Sequence, residues 1–184
     1  FFLFLTLFVF SCQPVEKFDS VVFDNKQLPR FDVSASSIEI KEIFEKNFSD
    51  PYIGNTLEVD PSERIINWVN DNFKSIGNEN ILVISILDAS LSQTEIENTE
   101  AKNFDEKTNY KYEIFYLIEF NLFDDSRDLI ATTLVETSRS TTSGMYISIN
   151  EKENIINDLI YQSLSDLSSE SNTLLKQYMS EFIL

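Results

Sequence analysis

The chain has 184 residues, 31 acidic against 14 basic and none of them histidine, for a net charge of -17. That balance excludes nucleic-acid binding, which rests on Lys and Arg neutralising phosphates, and with a single cysteine and no histidine it also excludes imidazole or thiolate metal sites and histidine-based triads. Hydrophobic residues make up 42%, with 16 Phe and 7 Tyr but only 3 Gly and 4 Pro, so the chain holds material for one packed domain and is neither disordered nor loop-dominated.

The N-terminal stretch Phe1 to Phe10 carries no charge. It is too short to cross a bilayer, which takes about 20 apolar residues, and it fits the hydrophobic core of a signal peptide. Such peptides begin with Met and basic residues, so the start is expected to be truncated. The run ends in Val9-Phe10-Ser11-Cys12, and Cys12 is the only cysteine. This placement resembles a bacterial lipobox, although Phe10 stands where a small residue is usual. The resemblance implies that residues 1–11 are a lipoprotein signal peptide, and that Cys12 becomes the mature N-terminus, lipidated on sulfur and anchored by three acyl chains. Each buried methylene contributes about 0.8 kcal/mol, so several chains hold where one holds only marginally. Gln13, and not Asp, follows the cysteine. In the sorting scheme that the resemblance brings with it, this favours the outer membrane. The alternative is a buried thiol, which leaves unexplained why the one cysteine falls where the hydrophobic core ends.

From Gln13 to Arg30 there is no clear period, and Pro14 and Pro29 bracket polar residues. The segment reads as a tether, with Val21, Val22 and Phe23 docking on the domain, which spans residues 31–184. Phe31-Asp32-Val33 leads into Ser37 to Phe44, an alternating first strand. A loop with Pro51 and Gly54 follows. Asp60-Pro61-Ser62-Glu63 carries a cap, a proline suited to the first helical position and a capping-box glutamate. Ile65, Ile66, Val69, Phe73 and Ile76 then continue at helical spacing to a terminating Gly77. Trp68 beside that stripe is a core residue.

Ile81 to Leu87 is apolar at every position but Ser85 and reads as a central strand covered on both faces, leaving the core beyond Asp88. Glu97 to Thr108 is a solvated connection with Phe104 as its apolar exception. Tyr110, Tyr112, Ile114, Tyr116, Ile118, Phe120 and Leu122 occupy every second position of a long strand. The turn Asp124 to Asp128 returns the chain along Leu129 to Ser138, completing a hairpin. After the hydroxyl-rich Thr137 to Ser143, Asn150 to Glu153 repeats the capping pattern, and a helical stripe from Ile156 to Phe182 follows, with a break expected among Ser168 to Asn172. The order β-α-β-β-β-α predicts an α+β fold: a mainly antiparallel sheet of about four strands with two helices on one face. The first strand, helix and second strand suit a crossover that sets those two strands parallel.

Only carboxylates remain as candidate chemistry. Asp124, Asp125 and Asp128 sit at the predicted turn, where Asp favours local hydrogen bonds, and they lack the ligand spacing of a calcium loop. Asp88 follows the apolar run and is either half-buried with a raised pKa or simply emergent into solvent. Thr137 to Ser143 either lines a sugar or headgroup pocket or forms a polar strand edge. No phosphate loop or nucleophile elbow is present, so no catalytic residue, cofactor or metal ligand is assigned and no enzyme is expected.

The lipobox together with Leu28-Pro29-Arg30-Phe31-Asp32-Val33 and the Pro51-Tyr52-Ile53 loop leading to Ile65-Ile66-Asn67-Trp68 resembles uncharacterised alphaproteobacterial envelope lipoproteins. The element order is similar to that of accessory lipoproteins of lipid transport and lipopolysaccharide assembly, a likeness of architecture alone. The resemblance implies a lipid-anchored protein facing the periplasm, with the membrane and another envelope protein as partners. An accessory subunit that binds through a sheet face or strand edge is the first expectation. A carrier with an apolar ligand between sheet and helices is the alternative.

Overall fold

The structure, a computed structural model, describes residues 21–102 and 106–183. The apolar run Phe1 to Phe10, Cys12 and Phe104 lie outside the described residues. The first strand divides in two, β1 (Phe31–Val33) and β2 (Ser37–Glu42). Helix α1 (Pro61–Asn72) follows, then β3 (Phe73–Ser75), β4 (Ile81–Glu97), β5 (Thr108–Phe123), β6 (Leu129–Gly144) and helix α2 (Ile149–Tyr178). The fold is α+β, with two helices on one face of a four-stranded sheet of order β2-β4-β5-β6. The β4-β5-β6 part is antiparallel and β2 lies parallel to β4, so the sheet is mixed, as the β2-α1-β4 crossover requires.

Capping fixes the start of each helix. Asp60 accepts from the Glu63 amide at 3.0 Å and Pro61 occupies the first turn of α1. For α2 the cap is Ser148, two residues before the expected Asn150, and its hydroxyl accepts from the Glu151 amide at 3.2 Å. Helix α1 stops at Asn72, before the expected Gly77, because Phe73 turns extended and pairs in parallel with Phe31. Tertiary pairing here overrides helical spacing. Ring stacking continues that choice: Phe73 lies 4.3 Å from Phe31 and 5.9 Å from Phe120, centroid to centroid.

The even-numbered row of β5 from Tyr112 to Leu122 is fully buried, facing Leu82, Ile84, Ile86, Ala89 and Leu91 of β4 and Val135 of β6. Helix α2 lies over β5 and β6 with Ile160, Leu164 and Leu167 inward. It is continuous through Ser168 to Asn172, with no break. Ser163, Ser168 and Ser171 lie on its fully buried face, and none of their hydroxyls has a hydrogen-bond partner among the described residues. Small side chains there let the helix sit close to the sheet, and packing outweighs the weak helical preference of serine.

Strand β4 does not leave the core at Leu87. A bulge between Ile86 and Asp88 resets its alternation, which returns Ala89 and Leu91 to the buried face. Nor is it covered by helices on both faces: both helices share one face, and among the described residues none lies on the other, where Val83 and Ser85 are buried beside their neighbours. Of the docking residues, Phe23 packs edge-on against Tyr161 at 5.7 Å and under the Arg64 guanidinium at 3.6 Å, whereas Val22 is exposed. Asn72 Nδ2 holds the same segment by donating to the carbonyls of Asn25 (2.8 Å) and Leu28 (3.0 Å).

Candidate interaction surface

Among the described residues polar groups gather at the start of α1 and beside β6, and the first of these places is closed. The segment after β2 folds back so that Lys46 Nζ meets Asp60 at 2.7 Å and Glu42 at 3.5 Å. Ser62 Oγ lies 2.5 Å from Glu42 and 2.7 Å from Asp60. Burial pushes the Asp60 carboxyl up, but the hydrogen bonds from Lys46, Ser62 and the Glu63 amide outweigh it and leave the group below the ordinary aspartate value. The adjoining cavity of about 20 Å³ holds little more than a water. The cluster is thus a clasp on the start of α1.

A carboxyl lowered in the folded state adds stability that is whole above its unfolded pKa and is lost as pH falls through the folded one. Asn caps as well as Asp, so the thermal midpoints of wild type and Asp60→Asn are expected to draw together as pH falls below about 4 and to meet only below the folded-state value, which lies lower still. Melting curves from acid to neutral pH test this; a gap that does not change with pH would refute it.

The second place is the free side of β6. β6 is the end strand of the sheet, pairs with β5 continuously from Ala131 to Gly144, and has no other backbone partner between Ala131 and Thr142 among the described residues. The opposite side of the sheet is treated differently. Where β2 ends, β4 is covered by its own chain: the Ile43 and Phe44 amides donate to Ile86 O, Ile53 N to Leu91 O, and Gln93 N to Pro51 O. The stretch of β4 that β2 leaves bare is closed, whereas among the described residues the two end strands keep their outer sides unpaired, β2 over six residues and β6 over a much longer run.

Beside the open edge runs a groove of about 370 Å³ between β6 and α2. Arg139, Ser140 and Thr141 form one side, and Ile155, Asp158 and Gln162 the other, with Val21 also lining it. Arg139 is already engaged, its guanidinium forked onto Asp166 at 2.8 and 3.2 Å, and Asp166 first of all holds it above the ordinary arginine value. Asp158 is exposed and makes no ion pair among the described residues. On the uncovered sheet face beside the edge, Leu129 and Leu134 are about half exposed, at 54% and 50%.

The residues singled out from sequence fall in different places. Of the acidic turn, Asp124 accepts locally from the Asp128 amide at 2.8 Å, while Asp125 reaches across to accept from the Asn80 amide at 3.4 Å. Asp88 is half-buried at the β4 bulge, where it accepts from the Ser90 amide at 2.9 Å. Thr137 to Ser143 is the second half of β6, on the open edge. Among the described residues no group of three or more acidic or cysteine side chains is placed to hold a metal, and no helix is long and apolar enough to cross a membrane. Sequence reasoning missed the groove and the Lys46 clasp; each depends on segments far apart in the chain.

No family model matches the chain, and no curated protein does. Among solved structures it is similar to a minor lipoprotein from Acinetobacter baumannii (10% identity, TM-score 0.41, covering 82% of this chain and 96% of that one). It is also similar to a neuraminyllactose-binding hemagglutinin homolog from Helicobacter pylori (11%, 0.42, 78% and 88%) and to rare lipoprotein B from Shewanella oneidensis (15%, 0.30, 74% and 98%).

Proposed function

We propose that this chain is a lipid-anchored accessory subunit of the bacterial envelope, fixed to the membrane through Cys12 and binding another envelope protein without catalysing a reaction. The observation that carries the reading is the single cysteine at the end of the uncharged run Phe1 to Phe10. The charge of -17 keeps the body off an anionic bilayer, so its attachment rests on the acyl chains. The uncovered sheet face and the open β6 edge supply the surface for a partner. Gln13 favours the outer membrane, with the body in the periplasm. The carrier reading has less support, because the layer between sheet and helices is filled by fully buried Trp68, Tyr112, Tyr116 and Phe120.

Growth with an alkyne fatty acid is expected to label the full-length protein and to place it in the membrane fraction, with Cys12→Ala losing both. An unlabelled wild type, or a mutant that stays labelled and membrane-bound, would end this reading.

A further inference from the structure

We propose that the open edge of β6 and the groove beside it are one site, which takes an extended basic segment of an envelope protein as a fifth strand of the main sheet. The inference rests on the accessory-subunit reading and specifies its surface. An added strand pairs its backbone with the free N–H and C=O groups of β6 and offers its side chains alternately to the two faces. On the uncovered face they lie beside Leu134, Glu136 and Ser138. On the helix side they enter the groove of about 370 Å³ under Asp158 and Gln162. An edge flanked by a helix thus provides backbone affinity together with a side-chain pocket, the two requirements of strand addition.

Charge selects the occupant. Glu136 of β6 shares the uncovered face by register with Glu119 of β5, whereas Glu113 is already bridged to Lys111 at 2.8 Å; in the groove Asp158 makes no ion pair among the described residues, and Arg139 is forked onto Asp166, with Asp158 acting on it more weakly. A strand carrying Lys or Arg on both of its faces neutralises these groups. A second copy of this chain would bring -17 against -17. β6 itself contains no Pro and no Lys, two residues with which natural edges are commonly blocked.

The test uses the full chain in detergent with two labelled decapeptides, one repeating Val-Lys-Lys-Val, which sets lysines on both faces of a strand, the other with glutamate in place of each lysine. The lysine peptide is expected to bind, the glutamate peptide to bind at least about tenfold more weakly, and Asp158→Lys to weaken the lysine peptide about tenfold with the circular dichroism unchanged. Glu136→Lys, also exposed, provides an independent second variant. Amide exchange between Ala131 and Thr142 is expected to slow at alternate residues on binding. Equal affinity for both peptides, or protection anywhere but β6, overturns the proposal. So do β6 amides that are all slow before peptide is added, since in a dimer a second copy, and in a monomer the chain's own N-terminal segment, would then hold the edge. Acyl labelling reports separately: a labelled, membrane-bound chain with a silent β6 removes the strand site alone, whereas an unlabelled chain removes the envelope reading and leaves these amide measurements as they stand.

Discussion

Trp68→Ala is expected to lower the unfolding free energy by about 3–5 kcal/mol, the range for truncating a buried aromatic residue to alanine. Trp68 is fully buried on α1, with its ring edge-on to Phe31 at 6.2 Å and to Phe73 at 5.2 Å. Phe31 and Phe73 belong to the short β1-β3 pair, and Phe73 in turn stacks on Phe120 of the main sheet. One indole therefore joins the helix, the small sheet and the large sheet, and its loss opens a cavity that three elements must close. Against a total of about 5–15 kcal/mol for a domain, that is a large share. The indole Nε1 has no hydrogen-bond partner among the described residues, so Trp68→Phe, which keeps an aromatic ring and removes an unsatisfied donor, is expected to lose less than about half as much. Urea denaturation followed by far-UV circular dichroism measures both, since the only tryptophan signal disappears with the residue. A loss under about 1 kcal/mol for the alanine variant would show that the cluster is not the joint described here.

Gly77→Ala is expected to destabilise by about 1–3 kcal/mol or more, the usual effect of forcing atoms into filled space. A Cβ at Gly77 would lie 2.7 Å from Ala35 N and 2.7 Å from Ser34 C, both backbone atoms that cannot swing aside. The glycine has no positive φ, so it is required by contact and not by conformation. Its amide donates to Ala35 O at 3.0 Å, which holds the exit of β3 against the β1-β2 link. Gly54→Ala is the matched control: there a Cβ meets only Pro61 side-chain atoms, the nearest at 3.5 Å, an ordinary contact. The same denaturation series should leave that variant within about 0.5 kcal/mol of wild type. Equal losses at both positions would refute the steric account.

The parts of the fold legible in the sequence are those written in local spacing. The alternation from Tyr110 to Leu122 placed one row against the helices, and Asp60-Pro61 marked the first turn of α1. The β2-α1-β4 crossover was equally readable from element order. What was not legible depends on partners distant in the chain. Phe73 has helical spacing and becomes a strand because Phe31 waits beside it. The polar run from Asp88 reads as an exit from the core, yet a bulge between Ile86 and Asp88 restores the pattern and carries the strand to Glu97. The stretch Ser168 to Asn172 reads as a helix break, and instead Ser168 and Ser171, with Ser163, form the face on which α2 rests. Of the candidate surface, the hydroxyl-rich half of β6 was visible as a polar edge. The groove was not, because its other side comes from α2, and nothing in the spacing of Asp158 or Gln162 announces where that helix lies.

The position of Val21 in the groove carries a consequence of length. From Gln13 to Val21 there are nine residues, which even at full extension reach about 30 Å. With Cys12 held at the bilayer as proposed, the β6 side of the domain is on a short leash, and its working radius is about the thickness of one small domain. A partner strand must then be offered close to the lipid headgroups, so membrane-proximal segments can reach it and a soluble domain standing farther out cannot.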